Sequence, residues 1–209
     1  MKLYDFKAAP NPRRARIFIA EKGLEIATEQ VDLGSGEQFQ DAFRAVNPRC
    51  TVPVLELDDG TRITEAVAIC RYLEELHPEP PLFGRDALER ARVTTWEQRV
   101  LLDGLQAVAE AFRNHVRGFK DRALPGPDDY AQIPELVPRG RARALKFWEE
   151  LDGELASREF IACDAFSMAD INALVMVDFA GWIKLELPEE LMHLKRWHAA
   201  VAARPSAQA

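Results

Sequence analysis

Thr51–Ile69 reads TVPVLELDDGTRITEAVAI. Two β-rich runs, VPVLEL and TRIT, flank Asp58-Asp59-Gly60, and Asp-Gly between such runs is a strong hairpin signal. Proline has no N–H for a central ladder, so Pro53 belongs at the first residue of the strand it precedes. A cis Val52–Pro53 bond would turn the N–H and C=O of Val52 outward, toward a ligand; cis is the minority state, about 5% of such bonds. Past the hairpin, Glu65 opens a helix whose buried face is marked by Ala66, Ile69, Cys70, Leu73 and Leu76.

Upstream, KLYDF reads as a short strand. A helix follows from about Pro12 to Lys22, with Gly23 in the position after the helix that favours glycine. IATEQVDL is a second strand, and Phe39, Phe43 and Val46 recur at one helix face. The order through residue 80 is β-α-β-α-β-β-α. HPEPPLFGRD is a proline-rich, extended linker. Beyond it the period is helical: Leu88 to about Val116 as one helix or two, Gly140–Leu155, then two helices separated by Leu187-Pro188. These patterns predict an α/β domain over 1–80 and an all-helical domain over 86–209.

The chain has 209 residues, 47% apolar and 29% charged, with a net charge of −7. An acidic surface argues against nucleic acid or a membrane surface as partner. No apolar run approaches the roughly 18 residues of a membrane span, and the N-terminus has no signal-peptide pattern. Cys50, Cys70 and Cys163 are odd in number and far apart, with no CxxC or His/Cys cluster. Neither a disulfide framework nor a metal site is expected, and a reducing cytoplasm is the default compartment.

Three stretches, PNPRRARIFIAEKG, NPRCTVPVLELDDGTRITEAVAI and FSMADI, resemble the cytosolic glutathione transferases over nearly the whole chain. The closest likeness is to bacterial and fungal members without an obvious catalytic Tyr, Ser or Cys. The resemblance implies a thioredoxin-like domain followed by an α-helical bundle, and a homodimer. It implies glutathione as co-substrate, no metal and no bound cofactor, and transfer of the thiolate to a small apolar electrophile. Thiol–disulfide reduction and a non-catalytic binding or regulatory role are the alternatives on the same scaffold.

Carried over by position, the resemblance places the cysteinyl backbone of glutathione on Val52 and Pro53. The γ-glutamyl end falls to Glu65 and Ala66, where relatives have an acid and a serine. The glycyl carboxylate falls to Gln38 and Thr51, both neutral here. Electrophile-site candidates are Phe6, Pro10, His115, Phe119 and Trp182, in a cleft between the domains. Ser167-Met168-Ala169-Asp170 reads as a capping box with Phe166 and Ile171 as its staple, a structural feature.

The stretch FKAAPNPRRARI (6–17) holds no thiol-activating hydroxyl: Ala9 stands at the Ser-type place and Asn11 at the Cys-type place. A thiol of pKa about 8.5 lowered by about 2 units needs about 2.7 kcal/mol of thiolate stabilisation. Asn11 as N-cap with Pro12 at the first helical position directs free N–H groups into this turn. Asn11, the helix end and an ordered water are the candidate activators, with His115 a candidate base through that water.

Overall fold

A computed structural model describes all 209 residues, Met1–Ala209. The chain divides into two compact units: residues 1–80 together with 124–129 and 209, and residues 81–123 together with 130–208.

The first unit runs β1 (Lys2–Asp5), α1 (Pro10–Glu21), β2 (Ala27–Gln30), α2 (Asp41–Val46), β3 (Val54–Glu56), β4 (Arg62–Thr64) and α3 (Ala66–Leu76). This is the thioredoxin-like order expected from the sequence. Its sheet has the order β2-β1-β3-β4, with β2 parallel to β1 and the other pairs antiparallel. Successive strand residues face opposite sides of a sheet. Tyr4 and Val54 accordingly join Val31, Phe43 and Val52 in one core cluster. Leu3 and Leu55, paired in register and about 1% exposed or less, face the other way. Ile17 and Phe18 of α1 and Ile69 and Leu73 of α3 are fully buried, and α1 and α3 pack together. Each such side chain stabilises the fold by about 1.5–3 kcal/mol.

The β3–β4 turn is the expected hairpin. Leu57 N–H donates to Thr61 C=O (2.8 Å), and Gly60 takes φ 84°, the left-handed value that glycine tolerates. Gly23 likewise follows α1 at φ 63°. Lys22 closes this unit from behind: its fully buried ammonium meets Glu74 of α3 (2.5 Å) and the carbonyl of Pro80 (2.5 Å).

The second unit is all helical: α4 (Ala87–Arg99), α5 (Gln106–His115), α6 (Leu136–Leu155), α7 (Met168–Ala180) and α8 (Met192–Ala202). A π-helical stretch, Val100–Leu105, joins α4 to α5 without a break, so the Leu88–Val116 segment is one helical rod with a widened turn. Helix α6 begins a turn before Gly140, because Pro138 falls in its first turn, where a missing N–H is not needed. Every residue of α7 except Asp178 is buried, the mark of a central helix. Two glycines let helices meet closely. A Cβ on Gly140 of α6 would lie 2.5 Å from Ala107 C=O in α5, and one on Gly104 would lie 3.0 Å from Met176.

The Ser167–Asp170 capping box is present at the start of α7. Asp170 is fully buried and accepts from Ser167 N–H (3.0 Å), Ser167 Oγ (2.9 Å), Ile161 N–H (3.0 Å) and Trp197 Nε1 (3.0 Å). Burial outweighs these donors and pushes its carboxyl up to about 6. Phe166 and Ile171, the staple pair, are both buried.

Candidate functional site

Sheet register brings the candidates of the first unit to one end of the sheet. Val54 pairs with Thr64 and with Tyr4. Both ladders end there, and the chain continues at this end of the sheet from Val54 back to Pro53 and Val52, from Thr64 to Glu65 and Ala66, and from Tyr4 to Asp5 and Phe6. The same end carries the β1–α1 turn and the first residue of α1.

The Val52–Pro53 bond is cis. Val52 is 7% exposed, its side chain belongs to the core cluster, and neither its N–H nor its C=O is bonded within the chain. A free donor and acceptor on one residue at the end of the sheet suit an extended peptide backbone. Glu65 is the N-cap of α3 rather than part of its first turn, and holds φ 68°, ψ 124°. That backbone is strained for a residue with a Cβ, at a cost of about 1–3 kcal/mol. Its carboxylate is exposed and has no partner in the chain. Ala66, the first residue of α3, is buried and presents a helix N-terminal N–H.

Gln38 sits in a single 3-10 turn, Glu37–Phe39, ahead of α2, with its Oε1 buried and unpaired. Thr51 is fastened by Asn47, whose Nδ2 donates to its carbonyl (2.8 Å) and its hydroxyl oxygen (3.1 Å).

Helix α1 starts two residues earlier than the sequence pattern predicts. Ala9, not Asn11, is the N-cap of α1, with Pro10 and not Pro12 at the first helical position. Both prolines fit a first turn, and the helix takes the earlier one, because Ala9 is extended at φ −78°, ψ 140°. Prolines at the first and third helical positions leave no N–H there, and Arg13 N–H reaches Ala9 C=O (3.3 Å). The free backbone donor of this first turn is therefore the N–H of Asn11 itself. The Asn11 side chain is exposed, and Arg14 Nη1 donates to its Oδ1 (3.1 Å). With the oxygen occupied, Nδ2 remains as a donor. Phe6 packs one face on the Tyr4–Phe43 cluster, and Pro10 is half-buried.

The second unit gathers Phe119 and Trp182 with two residues that the sequence did not single out, Phe112 and Phe179. Ring centroids of Phe112 lie 5.0 Å from Phe119, 5.3 Å from Phe179 and 5.4 Å from Trp182, all edge-to-face. Trp182 is 48% exposed, so the cluster has an open apolar side. The seven-residue interval from Phe112 to Phe119 is the signal that could have linked those two; Phe179 joins only through the packing of α7. The Arg113 guanidinium lies 4.6 Å over the Phe119 ring and donates to Ala123 C=O (3.3 Å). Burial, then the charge of Arg122, pull Arg113 down to about 10. His115 ends α5, exposed and without a partner. No group of three or more His, Cys, Asp or Glu side chains is placed to hold a metal. Cys50, Cys70 and Cys163 are buried free thiols.

Comparison with known proteins gives one family. Residues 8–76 match the model of the glutathione S-transferase N-terminal domain, and residues 123–205 that of the C-terminal domain. Glutathione S-transferase 2 of Saccharomyces cerevisiae is 37% identical over 209 residues, covering 99% of this chain and 87% of that protein. The crystal structure of Gtt2 from the same yeast superposes with a TM-score of 0.91 at 36% identity, covering 100% of this chain and 99% of that one. A glutathione S-transferase domain-containing protein from Marinobacter aquaeolei gives a TM-score of 0.91 at 39% identity, covering 99% of both chains.

Proposed function

We propose that this chain, which belongs to the cytosolic glutathione S-transferase superfamily, joins the glutathione thiolate to a small apolar electrophile. The observation that carries the reading is the meeting, at one sheet end, of a residue with free backbone groups, Val52, and a strained, unpaired carboxylate, Glu65.

In this reading the cysteinyl backbone of glutathione pairs with Val52 beside Pro53. Glu65 takes the γ-glutamyl ammonium, and the α3 N-terminus at Ala66 takes the γ-glutamyl carboxylate. The half-buried Gln38, donating from Nε2, and the Thr51 hydroxyl receive the glycyl end. The thiol then lies toward the first turn of α1, where Asn11 offers its N–H and Nδ2. Two donors to a thiolate favour its charged form and lower its pKa. The sulfur lone pair forms a bond to an electrophilic carbon, the leaving group departs with its electron pair, and the thiol proton passes to solvent, with His115 as the candidate relay. The open aromatic cluster of Phe112, Phe119, Phe179 and Trp182 supplies apolar surface for the electrophile. Resemblance to the family further suggests a homodimer.

Titration calorimetry with glutathione, followed by a conjugation assay with chlorodinitrobenzene, tests the reading. Binding that fails at millimolar glutathione overturns it. Binding without conjugation redirects it to disulfide reduction or to a binding protein, although the turn holds no cysteine for a mixed disulfide.

A further inference from the structure

The backbone N–H and C=O of one residue in the β1–α1 turn, Lys7, are held by side chains from two other elements. Gln30, the last residue of β2, accepts the Lys7 N–H on Oε1 (2.9 Å). Arg16, in the second turn of α1, donates from Nη2 to the Lys7 carbonyl (2.8 Å). Both side chains are anchored on the same carboxylate. Asp5 accepts Arg16 Nη1 on Oδ1 (2.5 Å) and Gln30 Nε2 on Oδ2 (2.6 Å).

The network is closed and directional. Asp5 is 1% exposed and Arg16's side chain 14%, so both charges are largely withdrawn from water. Because the Gln30 Nε2 is committed to a carboxylate, its Oε1 is the atom left to face Lys7. The guanidinium reaches Asp5 and Lys7 with separate nitrogens of one planar fork, a geometry that the single ammonium nitrogen of a lysine does not reproduce. Burying an ion pair is a weak source of net stability, because desolvation offsets most of the attraction. What the arrangement does supply is position. Lys7 stands two residues ahead of Ala9, the N-cap whose placement sets the height of Asn11 over the sheet end.

We infer that Asp5, Arg16 and Gln30 are positioning residues that fix the β1–α1 turn, and so set the acidity of the bound thiol rather than affinity for the tripeptide. The inference rests on the reading above that this unit binds glutathione.

Gln30→Met keeps the volume and removes both hydrogen bonds, while Arg16→Lys keeps the charge and loses the fork. Three measurements apply to wild type and variants: thiolate absorbance of bound glutathione against pH, calorimetric affinity for S-methylglutathione, and amide exchange at Lys7. The expected result is a bound-thiol pKa raised by about one unit, about a tenfold change in ionisation equilibrium, in both variants. Lys7 exchange quickens, and S-methylglutathione affinity stays within twofold. An unchanged thiol pKa, or a parallel loss of S-methylglutathione affinity, overturns the positioning role. If the wild type binds no S-methylglutathione, the glutathione reading falls and this inference with it.

Discussion

Asn47 and Thr51 are joined twice, by bonds from one buried amide to a carbonyl at 2.8 Å and a hydroxyl oxygen at 3.1 Å. The Asn47 Oδ1 meanwhile accepts the N–H of Arg49 (3.0 Å). One side chain, 1% exposed, thus ties together the loop that delivers Val52 and Pro53 to the sheet end. Asn47→Ala leaves a partly buried carbonyl without its donor, which costs about 1 kcal/mol or more. The expected outcome is a lower urea midpoint with a weaker glutathione titration. Thr51→Val, which removes the hydroxyl alone, should change the midpoint much less.

Glu65 sets function against stability. Glu65→Gly relieves the positive-φ backbone and should raise unfolding free energy by about 1–3 kcal/mol while removing the carboxylate. Glu65→Gln keeps the strain and removes only the charge. Both should weaken glutathione binding by about 1.5–3 kcal/mol, the worth of a hydrogen bond to a charged group. Only the glycine variant should melt higher. Calorimetric titration and thermal melts separate the two effects.

The hairpin shows how much of this was legible in the sequence. Counting outward from Asp59, the middle of Asp58-Asp59-Gly60, pairs Pro53 with Glu65, and the observed Val54–Thr64 register follows the same count. Strand and helix order followed from local periods and turn residues, which act within a few positions. Three features were not legible. The π turn at Val100–Leu105 packs against α6 and α7, and apolar spacing along one helix does not separate it from ordinary helix. The start of α1 was ambiguous because Pro10 and Pro12 satisfy the same preference. The clamp on Lys7 joins residues 5, 7, 16 and 30 through a sheet pairing that no local pattern encodes.

Asp170 gives a pH signature of known sign. Its carboxyl is raised from 3.8 to about 6 in the folded state, so the folded chain binds a proton between those values that the unfolded chain does not. The associated stability is fully present below the unfolded value and is lost as pH rises through about 6. Asp170→Asn cannot titrate and loses an acceptor, so it should be less stable than wild type throughout. The gap between the two should be larger at about pH 4.5 than at neutrality, by about 2 kcal/mol. Urea unfolding at both pH values measures that difference, and a constant gap would contradict the buried protonation.

Gly140 is fixed by a backbone approach. A methyl there meets the Ala107 carbonyl at 2.5 Å and the Ala111 nitrogen at 2.9 Å, neither of which is a movable side-chain tip. Gly140→Ala gains helix propensity of about 1 kcal/mol but forces α5 and α6 apart. Overpacking should win, with a net loss of about 1–2 kcal/mol and a melting temperature lower by roughly 2–8 °C. Gly153→Ala, on the exposed side of the same helix with no neighbour near its Cβ, should instead raise the melting temperature.

Asn11 bears the sharpest demand on thiol activation. The Pro10 and Pro12 nitrogens carry no hydrogen, Arg13 N–H is engaged, and Arg14 occupies the Asn11 Oδ1, leaving one backbone and one side-chain donor. Asn11→Ala removes the side-chain donor and should raise the bound thiol pKa. Asn11→Asp replaces a donor by a negative charge that also pairs with Arg14, so the thiolate faces a like charge instead of an N–H. Its thiol pKa should rise further, by more than about one unit over wild type, with kcat/KM at neutral pH falling at least tenfold. Affinity for S-methylglutathione should hold in both variants, because the thiol's proton plays no part in it. His115→Ala should lower kcat/KM without moving the thiolate band if it relays the proton rather than holding the sulfur. An Asn11→Asp enzyme with an unaltered thiolate titration would place the sulfur away from this turn.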